Sequence, residues 1–94
     1  MKIETITSAQ NPKVRMLLEL QEKSKARRKE GLFVVEGCRE LLHCLSAGYK
    51  AHTLFICSEI ITEDSLAELT DAIVSSSEGC RFFDLPKHLY EKVA

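Results

Sequence analysis

The chain has 94 residues, of which 45% are apolar and 29% charged. This profile favours one small folded domain and excludes disordered and fibrous proteins. No apolar run approaches the ~20 residues that cross a bilayer, and the first residues lack the apolar stretch of a secretory signal. We therefore expect a cytoplasmic protein without a membrane partner.

The net charge of −1 hides an uneven distribution of charged residues. Residues 1–40 contain nine Lys and Arg against six Asp and Glu, whereas residues 41–94 contain four against eight. Seven of the basic residues fall within residues 13–29, beside two glutamates. A local basic segment on a nearly neutral protein is typical of a specific anion-binding surface.

The cysteines indicate structural thiols and no metal. None of them forms a CxxC pair, no His stands at metal-ligand spacing, and each lies in an apolar segment. The expected state is therefore the reduced thiol of a cytoplasmic protein, with a zinc site or a disulfide framework as the alternative. The four are Cys38, Cys44, Cys57 and Cys80.

The first predicted element is a helix that begins after Asn11. Asn11 is a favourable N-cap, and Pro12 suits the first helical position because its missing N–H leaves no helical bond unmade. Residues at helical spacing then form a narrow stripe of Val14, Leu17, Leu18 and Gln21. From residue 22 to residue 30 the pattern is polar, which predicts a solvated helix end or a mobile connector closing at Gly31.

Strands alternate with helices over the rest of the chain. The predicted elements are a buried strand at residues 32–35, a helix at 38–47, a strand at 52–57, a helix at 63–74, a strand at 80–85 and a helix from Pro86. This order predicts a mostly parallel sheet covered on both faces. A further strand is expected after residue 94, and an exposed sheet edge could pair with another chain, so self-association is expected.

The segment from residue 6 to residue 37 contains a recognisable combination of motifs. It reads ITSAQNPKV, then a basic stretch KARRK at residues 25–29, then GLFVVEG at residues 31–37. The combination resembles the N-terminal substrate-binding domain of SpoU/TrmH-like RNA 2′-O-ribose methyltransferases. The pattern of that family is I-x-S-x-x-N-P, a basic stretch with an Arg, and G-x-F-x-V/I-E-G.

The resemblance implies a fold and a domain order. The fold would be a three-layer α/β/α sandwich like ribosomal protein L30e at residues 31–94, preceded by an N-terminal helix and basic connector at residues 1–30. A knotted methyltransferase domain, which binds S-adenosylmethionine and forms a homodimer, would follow residue 94. The motifs of that domain are absent here, so we expect no catalytic, cofactor-binding or metal-binding residue in this chain.

The basic segment supplies the candidate RNA contacts. Structured RNA is read largely through phosphates and 2′-hydroxyls. Arg27 and Arg28 can bind phosphate with two parallel hydrogen bonds, and Arg27 falls where the family has its Arg. Lys23, Lys25 and Lys29 are expected to act as point charges, and Lys13 and Arg15 are further candidate contacts. Because most aromatic residues occupy apparent core positions, a platform for stacking single-stranded bases is not expected.

Three other candidates have two interpretations each. Asn11 is either a helix cap, the favoured interpretation, or a reader of bases. Glu36 either ends a strand before Gly37 or contacts a ribose or a basic side chain. Arg39 lies in the first turn of a helix, where the dipole disfavours a cation, so phosphate or Glu36 is expected to neutralise it.

The function that this sequence predicts is binding of structured tRNA or rRNA for a 2′-O-ribose methyltransferase. One alternative is a stand-alone L30e-like RNA-binding protein. Another is a protein-interaction α/β domain that makes contact through the acidic helix between Glu63 and Asp71.

Overall fold

Three short parallel strands form the centre of the molecule. The computed structural model describes residues 2–94. The strands are β1 (Ile3–Thr5), β2 (Thr53–Ile56) and β3 (Arg81–Asp84), and the helices are α1 (Pro12–Glu22), α2 (Ser24–Glu30), α3 (Cys38–Ser46), α4 (Glu63–Ser76) and α5 (Lys87–Val93). The strand order is β1-β3-β2, so β3 lies in the middle.

The middle strand places two phenylalanines on opposite faces of the sheet, because side chains alternate along a strand. Phe82 is paired with Ile3 on one side and Leu54 on the other, and Phe83 is paired with Phe55 on β2. Both phenylalanine side chains are buried, and they belong to two different apolar cores. The sheet therefore separates two cores.

Helices cover both faces of this sheet. On one face Phe83 packs with Val14 of α1 and Leu89 of α5. On the other face Phe82 packs with Ile73 of α4, and Leu41 of α3 packs against the same cluster. This arrangement confirms the predicted α/β/α sandwich. The first core contains residues from both sides of position 30, since Val14 and Leu89 meet in it.

The predicted helix caps are present. The Asn11 side chain accepts a hydrogen bond of 2.9 Å from the N–H of Lys13, and the Thr62 side chain accepts one of 3.1 Å from Ser65. Each cap satisfies an N–H group that the first turn of its helix leaves without a partner. The helix-cap interpretation of Asn11 is therefore confirmed.

The polar stretch after α1 forms a helix of its own. The backbone leaves the helical conformation at Lys23, with φ −117° and ψ 114°, and α2 begins at Ser24. Gly31 ends α2 in the left-handed conformation, with φ 69°, which glycine adopts without a steric penalty. The end of the polar stretch at Gly31 was predicted, whereas the interruption of the helix at Lys23 was not.

Two strand assignments differ from the prediction. Residues 3–5 form an edge strand that the pattern did not predict, and the ladder continues through the N–H of Ile6, which donates to Asp84 at 3.0 Å. The predicted strand at residues 32–35 is wrong, because these residues pair with none of the three strands. An apolar run with branched side chains has strand-like composition, but composition does not specify a hydrogen-bonding partner. The predicted burial is also wrong, because none of residues 32–35 is buried.

Replacement of Ile6 by Ala tests whether residues before α1 belong to the folded unit. The side chain is 5% exposed, so the change leaves a cavity in the first core and should lower the free energy of unfolding by about 2–4 kcal/mol. Urea denaturation measures this loss. The control is Ile60→Ala, the same substitution at a side chain that is 50% exposed, for which a loss below ~1 kcal/mol is expected. Equal losses would contradict a structural role for the N-terminal strand.

Candidate nucleic-acid interface

Three cations of α2 lie on one side of that helix. Lys25, Arg28 and Lys29 are separated by three and four positions, which places them on neighbouring parts of a helical surface. All three are exposed, and none forms a salt bridge to any acidic residue between positions 2 and 94. We call Lys25, Arg28 and Lys29 the cationic face of α2. It can receive phosphate oxygens without first breaking an internal ion pair.

Arg27 has an internal role that the sequence did not reveal. Its Nη1 donates hydrogen bonds to the carbonyl oxygens of Leu20, at 2.6 Å, and Gln21, at 3.2 Å. These carbonyls lie in the last turn of α1, where no helical N–H is available to them. Arg27 therefore caps α1 and holds α2 against it, with its side chain half-buried. Lys23 is also engaged, at 4.0 Å from Glu19.

The two candidates on α1 are exposed but do not share a face. Lys13 and Arg15 are two positions apart, which places them about 200° apart around a helix with 3.6 residues per turn. Lys13 lines a cavity beside Glu36 and Cys38, whereas Arg15 does not. One flat RNA surface therefore cannot contact both side chains in the same way.

Glu36 and Arg39 flank the start of α3. Gly37 occupies the N-cap position with φ 97°, a conformation that disfavours other residues, and it provides no side-chain cap. The predicted contact between Glu36 and Arg39 is absent, and in the part of the chain described here Arg39 has no acidic partner. Arg39 thus carries an unneutralised positive charge at the positive end of a helix.

A cavity of 350 Å³ lies between residues 32–37 and β2. Most of its lining is apolar, and Tyr90 contributes a polar group. Burial raises the pKa of the Tyr90 hydroxyl, and the carboxylate of Glu36 raises this pKa further. The hydroxyl therefore stays protonated. Mostly apolar walls and a neutral phenol do not favour phosphate, although Lys13 and Glu36 also line the cavity.

Most aromatic residues lie in or against the cores, as expected, but two of the six do not. Phe33 is 52% exposed and Tyr49 is 54% exposed. Their ring centroids are 5.2 Å apart with an interplanar angle of 80°, an edge-to-face pair. Sequence reasoning missed this pair because Phe33 lies in an apolar run that looked like a buried strand.

Other features of the described residues bear on the class of site. No group of three or more His, Cys, Asp or Glu within residues 2–94 is arranged to hold a metal ion. All four cysteines are free thiols. No helix between Lys2 and Ala94 combines the length and apolarity of a membrane span.

The fold and the site define a small α/β domain that displays a cationic helix. A protein-family model matches residues 11–94 and describes an MRM3-like substrate binding domain. This chain belongs to that family. The match confirms the resemblance drawn from the motifs, and it makes the chain a substrate-binding domain of the RNA methyltransferase type, with RNA as the partner. Searches of curated proteins and of solved structures found no match.

Arg27→Gln should lower stability, because two carbonyls of α1 lose their donor. We expect a loss of about 1–2 kcal/mol in the free energy of unfolding, measured by urea denaturation. The control Arg28→Gln removes the same charge from the neighbouring, exposed position and should cost only the helix-dipole share, less than ~1 kcal/mol. If both variants unfold alike, the capping role of Arg27 is wrong.

Proposed function

We propose that this domain binds structured tRNA or rRNA for a 2′-O-ribose methyltransferase, and that the cationic face of α2 contacts RNA phosphates. The observation that carries the proposal is the placement of Lys25, Arg28 and Lys29 on one exposed side of a short helix, without acidic partners among residues 2–94. Membership of the substrate-binding family supports RNA as the ligand.

Helix electrostatics help to separate binding from simple helix stabilisation. Arg28 and Lys29 lie in the last turn of α2, where the helix dipole favours cations by about 0.3–1 kcal/mol each, so their presence alone has a structural explanation. Lys25 lies in the first turn, where the same dipole disfavours a cation. Arg39 has the same unfavourable position in α3. Anions from outside the chain would stabilise both side chains.

Phosphate binding also fits the way α2 is attached. None of its residues is buried, so the helix contributes nothing to either core, while the Arg27 contacts and the Gly31 cap fix both its ends. A helix held in this way presents its charges with little loss of conformational freedom on binding. Further phosphate contacts are proposed for Arg39, Lys13 and Arg15, of which the last two would meet RNA on different sides of α1, and Glu36 would contact a ribose hydroxyl.

The proposal includes the rest of the enzyme. We infer that a knotted catalytic domain follows this domain, binds S-adenosylmethionine and forms a homodimer, and that the enzyme is cytoplasmic. Membership of the substrate-binding family supports placing the cofactor in a separate catalytic domain. The outer edges of β1 and β2 have no strand partner among the described residues, and we propose that an exposed edge of this kind allows self-association.

The double variant Arg28→Gln/Lys29→Gln tests the RNA contact. It should weaken binding of the chain to an rRNA or tRNA hairpin by about tenfold near physiological salt, because each lost phosphate contact removes one counterion-release term. Filter binding over a salt series measures both the affinity and the slope of log K against log salt. The slope should decrease by about one for each lost contact.

The control for this experiment is Lys87→Gln/Lys92→Gln, which removes two positive charges from α5. It should lower affinity far less, with the salt slope nearly unchanged. Equal weakening by the two double variants would show that only net charge matters and would overturn the role of α2. Absence of hairpin binding by the unaltered chain at low salt would overturn the RNA proposal and favour a protein partner.

A further inference from the structure

Two exposed aromatic rings stand apart from both cores. Phe33 and Tyr49 each leave more than half of their surface in water, and they contact one another edge to face. An edge-to-face pair at this separation leaves ring faces uncovered by its partner. Exposed rings of this size are unfavourable in water, so a pair of them points to a surface that something else covers.

Phe33 is held directly beyond the cationic face of α2. The N–H groups of Gly31 and Leu32 both donate to the carbonyl oxygen of Arg27, at 2.9 and 3.3 Å. These bonds fix the chain against the last turn of α2, and Phe33 is the next residue. The ring is therefore positioned on ordered backbone, four residues after Lys29.

Tyr49 is fixed in a similar way at the end of α3. Its N–H donates to the carbonyl oxygen of Cys44 at 3.1 Å, just after the turn at Gly48. The next residue, Lys50, donates from its ammonium group to the carbonyl oxygen of Ser76 at 2.8 Å. The backbone on either side of Tyr49 is thus tied down by hydrogen bonds, as it is before Phe33.

We propose that Phe33 and Tyr49 form a stacking site for one unpaired RNA base, next to the phosphate contacts of α2. The proposal rests on the proposed function and adds a preference for RNA with an extruded or loop nucleotide over a fully paired helix. Aromatic stacking accepts any base, because every base has a π-face. Protein interfaces are depleted in Lys, and the exposed Lys29 precedes Phe33 by four residues, which favours RNA over an apolar protein segment.

The test uses the 94-residue chain and two hairpins whose loops are replaced by a non-nucleotide linker. They differ only in one unpaired base, placed in the stem of one of them. Phe33→Ala and Tyr49→Ala should each weaken binding of the hairpin with the unpaired base by about 5- to 150-fold, the range measured for loss of one stacked base. Both should leave the fully paired hairpin and the salt slope unchanged, since stacking neutralises no phosphate.

Matched variants separate stacking from other contacts. Phe33→Tyr should retain the affinity and Phe33→Leu should lose it, because only the former keeps an aromatic face. Val74→Ala removes an apolar side chain that is 68% exposed on α4 and should change nothing. With 2-aminopurine as the unpaired base, binding of the unaltered chain should quench its fluorescence, and Phe33→Ala should abolish the quenching.

The outcomes distinguish this proposal from the function on which it rests. If Arg28→Gln/Lys29→Gln weakens binding of both hairpins while Phe33→Ala and Tyr49→Ala bind like the unaltered chain, the stacking site is wrong and the phosphate contacts stand. Equal losses for the two hairpins with Phe33→Ala, or full affinity with Phe33→Leu, would also overturn stacking. Failure of the unaltered chain to bind either hairpin would overturn both proposals.

Discussion

The position of β3 between two other strands is the constraint on which the domain depends. Adjacent phenylalanines on this strand enter opposite cores, so one short segment joins the layer of α1 and α5 to the layer of α3 and α4. A domain of about 90 residues buries only some 60–65% of its unfolded surface, so its free energy of unfolding is small. Both cores need β3, and the strands β1 and β2 both pair with it.

Because both cores are built around β3, α2 can be exposed without packing against either core. The two cores are complete without α2, which has no buried residue. Two sets of bonds position the helix: the Arg27 contacts to the end of α1, and the bonds from Gly31 and Leu32 back to Arg27. Arg27 thus takes part in both sets. A guanidinium with five donors in a planar fork suits this role better than an ammonium group.

Much of the architecture could be predicted from local patterns, and the errors have physical causes. Asn11, Thr62 and Gly31 act at helix ends through neighbouring backbone, so their roles follow from sequence alone. The strand at residues 3–5 is only three residues long and exists through its pairing with β3, which no local pattern shows. The run at residues 32–35 has strand-like composition, but it lines the cavity beside β2 without forming a ladder.

For the candidate site, the sequence by itself determined the concentration of positive charge, the capping residues and the family, because these depend on residue type and on spacing over a few turns. Only the tertiary structure decided which cations face outward. Arg27 turns to the carbonyls of α1, while Lys25, Arg28 and Lys29 remain exposed. The tertiary structure also brought Phe33 and Tyr49 together across α3. The geometry of these contacts is set by the way whole elements pack, which no short segment encodes.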